Sequence, residues 1–320
     1  MNPKIWLFFA FLTLSQTVSP EDFPGNNIHC RKAFVFKQDK SAEPDTMMLC
    51  RDSFQLPEGY QTVVNMEVCD DTLCARLILK LSWDLAGNYS GLDTLPGNPL
   101  TKFDHGKFTG EDYRKLDQIL KDKNSALRVL EKEDLVDQSI RMKATTVDAF
   151  TGATPATIKK SVVEGAVYTS YSLWHLVNGI LCDSIRAFTL SVYSGAVSER
   201  LLMSVNYESQ LFALKQMKAP DFEERADLIF LILQKSTPLV RAYLLNKIPL
   251  PFRNPEKNRG LVKLYPVMDS YSKSIFINRI VSSKEAAEVF VPLFCQTGIT
   301  PDQKHLQKLN EAAGKFRISK

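Results

Sequence analysis

The chain has 320 residues, of which 44% are hydrophobic, and its formal net charge is +4. This size and composition predict one large or two medium globular domains with a sizeable core. The charges are interleaved, and no basic tract or alternation of aromatic and basic residues occurs, so the sequence excludes the usual nucleic-acid-binding patterns.

The N-terminus has the pattern of an export signal. A short positive start, Met1 to Lys4, precedes an apolar run from Ile5 to Leu14 and then small or polar residues. This pattern predicts a secretory signal peptide over residues 1–19, with an uncleaved N-terminal anchor as the alternative. No later segment has the length and apolarity of a membrane span. We therefore expect an exported protein, periplasmic or otherwise extracytoplasmic, with no integral membrane segment after cleavage of the signal.

Export permits disulfides, and the cysteines are unevenly spaced. Four of the six crowd into the early part of the mature chain: Cys30, Cys50, Cys69 and Cys74. We expect one or two bridges among these four, with the pairing left open. Cys182 and Cys295 lie in apolar surroundings, which predicts that both are buried small residues. Neither a haem-attachment motif nor histidine spacing suited to zinc is present, so no metal is predicted.

Strand patterns dominate the first part of the chain. Residues 20–55 form an N-terminal extension in which Ala33–Phe36 is a short predicted strand. Alternating hydrophobicity predicts strands with one buried face from Tyr60 to Asn65 and from Ala75 to Trp83. A helix is predicted to begin at Thr109, because Glu111 and Asp112 then occupy its first turn.

Short helical pieces are predicted near residues 125–130 and 134–139, followed by a strand from Arg141 to Val147. That strand leads into Asp148-Ala149-Phe150-Thr151-Gly152-Ala153-Thr154-Pro155. Thr154 is a favourable N-cap and Pro155 a favourable first helical residue. The apolar spacing from Ile158 to Val177 predicts that one amphipathic or buried helix continues from this cap. Gly152 and Ala153 would let a bulky anion approach the start of that helix.

The string Asp-x-x-Thr-Gly-Ala-Thr resembles the flavinylation motif of the FMN-binding domain family. That family includes the flavin subunits of sodium-pumping quinone reductases and Rnf complexes, and this chain resembles an exported bacterial member with a helical C-terminal extension. The resemblance implies that a flavin transferase joins FMN, through its phosphate, to Thr154. Asp148, Thr151, Gly152 and Ala153 supply the remaining matched positions. The alternative is an ordinary helix capped by Thr154 after a glycine turn.

Several residues outside the motif are weaker candidates. The stretch from Cys74 to Asp104 resembles the strand-and-turn half of the same family more loosely. Three aromatic residues there are candidates to pack near the flavin ring, with an ordinary core position as the favoured interpretation: Trp83, Tyr89 and Phe103. His105 is interpreted as a surface-loop residue, Asn88-Tyr89-Ser90 fits a glycosylation acceptor, and Lys159 and Lys160 are candidates to neutralise the phosphate.

The remainder of the chain is predicted to be helical. From Ser184 onward, amphipathic patterns of about ten residues follow one another, punctuated by prolines. The predicted helices are Ser198 to Val205, Tyr207 to Met217, Asp221 to Leu233, Thr237 to Lys247, Glu256 to Val267, Tyr271 to Ile280, Lys284 to Phe294 and Pro301 to Phe316. They suggest either a HEAT-type α-solenoid or an irregular bundle, and no catalytic constellation appears among them.

Together these patterns predict the α+β class, with two units after the extension. A small FMN-binding α+β domain occupies residues 56–182, and an all-α domain occupies residues 183–320. The first functional hypothesis is an electron-carrying flavoprotein with covalent FMN, served by a flavin transferase and by redox partner proteins or a quinone. The flavin would perform the redox chemistry, so no catalytic side chain is assigned. The second is a non-redox exported interaction protein with a helical repeat domain.

Overall fold

The chain folds into an antiparallel sheet followed by a helical region, which confirms the α+β class. The computed structural model describes residues 29–38, 44–68, 76–102, 105–135 and 156–318. The sheet has five strands in chain order, each antiparallel to its neighbour. The strands are β1 (His29–Phe36), β2 (Asp45–Arg51), β3 (Pro57–Met66), β4 (Leu77–Trp83) and β5 (Tyr89–Thr94).

The predicted alternation is clearest in β4, where every second side chain, from Leu77 to Trp83, is buried. Strand β1 contains the predicted Ala33–Phe36 strand. Strands β1 and β2 belong to the predicted N-terminal extension, yet they join the same sheet as β3. The division of the chain into domains remains a prediction.

One disulfide connects the first two strands. Cys30 and Cys50 face each other across β1 and β2 and are bonded, which confirms a bridge among the early cysteines. Cys69 and Cys74 lie outside the described residues. Cys182 is buried as predicted, but Cys295 is exposed, so that prediction was wrong. The apolar residues next to Cys295 in sequence lie on the other face of the same helix. The local composition of a segment does not reveal which face of a helix each residue occupies.

Helix α1 (Gly110–Lys121) begins where the sequence predicted. The Thr109 hydroxyl accepts from the Asp112 amide, and the Asp112 carboxylate accepts from the Thr109 amide, so the two residues form a capping box. Short 3₁₀ turns follow at Ala126–Val129 and Lys132–Leu135, close to the two predicted helical pieces.

The single long helix predicted after Pro155 is interrupted. Helix α2 (Ala156–Lys159) ends after one turn, and α3 (Val167–Asn178) begins eight residues later. Gly165 between them has φ of +73°, a left-handed conformation that a right-handed helix does not contain. The apolar spacing continues through the break because Ile158 in α2, Val162 between the helices and Val167 in α3 are all buried. Helix α4 (Ile180–Ser191) follows α3 directly.

Nine further helices complete the described chain, and most match the predicted segments. The predicted Asp221–Leu233 helix divides into two at Arg225, and the first helix begins three residues earlier than predicted. The helices are α5 (Gly195–Leu202), α6 (Tyr207–Gln216), α7 (Ala219–Glu224), α8 (Ala226–Lys235), α9 (Pro238–Lys247), α10 (Pro255–Leu264), α11 (Ser270–Ser282), α12 (Lys284–Thr297) and α13 (Gln303–Phe316).

These helices pack in two rows. One row runs α6, α9, α11, α13, and the other runs α8, α10, α12, with each helix against its neighbours in the row. Helices α8 and α12 also contact the other row. No helix within the described ranges is long and apolar enough to cross a membrane.

The sheet and the helices share one continuous hydrophobic core. Helix α4, which crosses the predicted domain boundary at residue 183, packs on the sheet. Its Thr189 hydroxyl lies 2.8 Å from the Tyr60 hydroxyl, and the Phe188 ring packs edge-on against the Tyr60 ring. Burial raises the pKa of Tyr60 to about 12, so its hydroxyl stays protonated at the centre of this contact.

Candidate functional site

The predicted attachment residues lie outside the described part of the chain. Asp148, Thr151, Gly152, Ala153 and Thr154, together with the predicted strand before them, fall within residues 136–155. The structure describes the elements on either side of this segment. The 3₁₀ turn that ends at Leu135, whose side chain is fully buried, precedes it, and helix α2 follows it.

Helix α2 is attached to α1. The Lys115 ammonium donates to the Lys159 carbonyl over 3.3 Å, and Ile158 is buried beneath it. Lys159 and Lys160 are both exposed, as is Glu164 just beyond them. Two solvent-facing ammonium groups therefore follow the motif closely. The structure shows that Lys159 and Lys160 face solvent. Their role in neutralising a phosphate stays a prediction.

Helix α3 holds the two flanks of the motif segment together through a row of side-chain bonds to main-chain carbonyls. The pairs are Asn178 with Leu120 (3.0 Å), Trp174 with Asp122 (2.8 Å), His175 with Leu127 (2.9 Å) and Tyr171 with Leu130 (3.2 Å). Burial lowers the pKa of His175 more than its carbonyl partner raises it, so the imidazole is neutral at pH 7 and donates through Nε2. The segment before the motif and the helices after it thus form one body.

The predicted ring neighbours are core residues where the structure describes them. Trp83 is 1% exposed and its indole donates to the Val177 carbonyl over 3.2 Å. Tyr89 is buried and its hydroxyl donates to Asp117 over 3.1 Å; burial, with the charge of Asp117, raises its pKa. Phe103 lies outside the described residues, and His105 is exposed, as expected for a surface loop.

A polar network joins the sheet to the helical region at Asn88. The Asp84 carboxylate accepts from the Asn88 amide over 2.8 Å and from the Ser209 hydroxyl over 2.6 Å. The same Asn88 nitrogen also donates to Ser209, and Lys123 donates to the Asn88 oxygen and to Glu208. Asn88 is only 3% exposed, so the folded chain cannot present it as a glycosylation acceptor.

A second polar cluster surrounds His305, and the sequence analysis missed it. Its Nδ1 lies 2.6 Å from Asp302 and 2.9 Å from the Tyr265 hydroxyl, and its Nε2 lies 3.1 Å from the Ser274 hydroxyl. The connectivity resembles a Ser-His-Asp triad. However, Ser274 sits inside α11 and donates to the Ser270 carbonyl, while Asp302 caps α13 by accepting from the His305 amide.

The His305 cluster therefore links α13 by hydrogen bonds to Ser274 of α11 and to Tyr265. The one local signal for it was the pair Asp302 and His305, because an N-cap Asp followed three residues later by a polar side chain marks a helix start. Within the described ranges, no group of three or more His, Cys, Asp or Glu side chains is placed to hold a metal ion.

Comparison with known proteins adds no family. No family model, no curated protein and no solved structure matches this chain.

Proposed function

We propose that this chain is an exported flavoprotein in which FMN is joined through its phosphate to Thr154. The observation that carries the proposal is the sequence Asp148-x-x-Thr151-Gly152-Ala153-Thr154 followed by Pro155. When bound, the flavin accepts and donates electrons, and the protein holds and orients it. The protein then acts as an electron carrier between redox partners, and a flavin transferase is required for its maturation.

The described residues near the motif support this proposal by their chemistry. Lys159 and Lys160 place two exposed positive charges five and six residues after Thr154, which suits a phosphodiester anion. Helices α1 and α3 form hydrogen bonds to residues on both flanks of the segment, so the chain before and after it belongs to the packed part of the protein. The disulfide between Cys30 and Cys50 is compatible with an extracytoplasmic location.

The experiment is attachment of flavin in the presence of the transferase. The protein is exported from a host that contains a flavin transferase, and its intact mass and in-gel flavin fluorescence are measured after denaturation. We expect wild type to carry FMN, Thr154→Ser to retain part of it and Thr154→Ala to carry none. Thr157→Ala is the matched control, because it removes a nearby threonine outside the motif. Covalent FMN on the Thr154→Ala form would show that the attachment site is wrong.

The electron-carrier role is tested separately from attachment. The flavinylated protein should be reduced by a chemical donor and reoxidised by a flavoprotein or quinone, and it should turn over small organic substrates poorly. Rapid, saturable turnover of one small substrate by the isolated protein would instead define a self-contained oxidoreductase.

The second candidate is a non-redox interaction protein with a helical repeat domain of HEAT type. The arrangement of α6 and α8 to α13 in two rows favours it, because stacked helix pairs are the architecture of α-solenoids. The two candidates differ in one measurement, since only the first predicts covalent flavin in the wild-type protein.

A further inference from the structure

Apolar side chains are exposed at the starts of three successive helices in one row. Leu239 is the second residue of α9 and is 58% exposed, and Tyr271 is the second residue of α11 and is 66% exposed. Leu306 lies in the first turn of α13 and is 39% exposed. Val267, in the 3₁₀ turn before α11, is 64% exposed. We name these four residues the apolar edge.

Side-chain bonds show that these helix starts lie side by side. Arg241 near the start of α9 binds Asp269, the N-cap of α11, over 2.9 Å. Between α11 and α13, the Ser274–His305 contact of 3.1 Å is followed one turn later by Lys308 to Asn278 at 2.7 Å, so these two helices run parallel. The axes of packed helices are typically about 8–10 Å apart, which is the interval expected between neighbouring helix starts along the apolar edge.

The four exposed side chains belong to backbone segments whose neighbouring residues are buried in the core. Each has a buried neighbour in sequence or in the same turn: Val240, Met268, Ser272 and His305 are all at most 5% exposed. A partner would therefore meet preformed contacts and would not have to order this surface. Isolated exposed apolar residues are common, whereas these four recur at the starts of three consecutive helices of one row.

The charges beside the apolar edge are mainly positive. Lys263 and Lys304 are exposed, and the Lys273 ammonium lies 5.3 Å from the centre of the Tyr265 ring. Of the two acidic residues at these helix starts, Asp269 forms an ion pair with Arg241, and Asp302 accepts a hydrogen bond from the His305 amide. The four basic residues Arg241, Lys263, Lys273 and Lys304 outnumber these two carboxylates. Charge complementarity therefore favours a partner that carries carboxylates.

We propose that the apolar edge binds an acidic peptide segment in the polyproline II conformation, with an apolar side chain at every third residue. That conformation has three residues per turn and rises about 3.1 Å per residue, so every third side chain lies on one face about 9 Å apart. This repeat matches the spacing of neighbouring helices. In a β-strand, neighbouring side chains on one face are two residues and about 6.6 Å apart, which is shorter than this interval. The proposal is independent of the flavin.

The probe is a fluorescein-labelled peptide of four Leu-Glu-Pro repeats, titrated against the full mature protein by fluorescence anisotropy. We expect saturable binding that weakens as salt rises. The double variant Leu239→Ser with Tyr271→Ser should weaken binding at least tenfold. Lys304→Glu should weaken it several-fold. Phe54→Ser is the matched control, since Phe54 is 82% exposed and lies in the turn between β2 and β3, far from these helices in the chain; it should bind as wild type.

Three outcomes would overturn the proposal. The first is equal binding of a peptide of the same composition with its leucines placed together, or of a Leu-Lys-Pro repeat. The second is equal loss in the Phe54→Ser control, or no loss in the double variant while circular dichroism shows both folded. The third is that the apolar edge instead mediates self-association, seen by sedimentation, or binding to vesicles of anionic lipid, with the same dependence on Leu239 and Tyr271.

Discussion

Replacing Asn88 by alanine tests whether the polar network between the sheet and the helical region stabilises the folded protein. The side chain is almost fully buried and makes three bonds, to Asp84, Ser209 and Lys123. Two of these partners are charged. A hydrogen bond to a charged group contributes roughly 1.5–3 kcal/mol and a neutral one roughly 0.5–1.5 kcal/mol.

The lower end of these ranges applies because the partners keep other bonds. Asp84 still accepts from Ser209 and from the Ala86 amide, and Lys123 still binds Glu208. We therefore expect Asn88→Ala to lower the free energy of unfolding by about 3–4 kcal/mol. Combining it with Ser209→Ala should be non-additive by about 1 kcal/mol, because the two residues share a bond.

Urea unfolding followed by tryptophan fluorescence measures this change, since Trp83 is buried close to the network in sequence. The control is Asn98→Ala. Asn98 is an exposed turn residue whose amide makes one bond, to the Pro96 carbonyl at 3.2 Å, and we expect a change below about 0.5 kcal/mol. A loss of less than about 1 kcal/mol for Asn88→Ala, or a loss equal to that of the control, would refute the structural argument.

Two further predictions concern the sheet and α1. Replacing Cys30 and Cys50 together by serine should cost about 3 kcal/mol, from the loop entropy of a bridge with sequence separation 20, and reducing agent should destabilise only wild type. For Asp112, burial raises the pKa, but bonds from Thr109 and the charge of Lys102 lower it more, so the folded pKa lies below 3.8. Its stabilisation is complete above about pH 4 and is lost as pH falls through that lowered pKa. Asp112→Asn should therefore show a flatter fall in stability below pH 4 than wild type.

The sequence by itself determined the features that depend on local interactions. The start of α1 at Thr109 was predictable because a capping box bonds residues only three apart. The buried face of β4 was predictable because alternate side chains on a strand point to opposite faces. Most helices after residue 195 followed from their apolar spacing and from the prolines between them. The attachment motif at Asp148 to Thr154 is likewise a property of the sequence alone.

Only the tertiary structure decided what depends on contacts between distant residues. The addition of β1 and β2 to the sheet through the β2–β3 pairing brings together segments that local patterns treat separately, as does the meeting of Ser274, Asp302 and His305. The exposure of Cys295 likewise depends on which face of its helix is covered. The break at Gly165 shows the same limit, since Ile158 and the residues of α3 keep helical spacing across a turn that the spacing does not reveal. Hydrophobic periodicity specifies which side of an element is buried, whereas the partner that buries it is selected by packing across the whole chain.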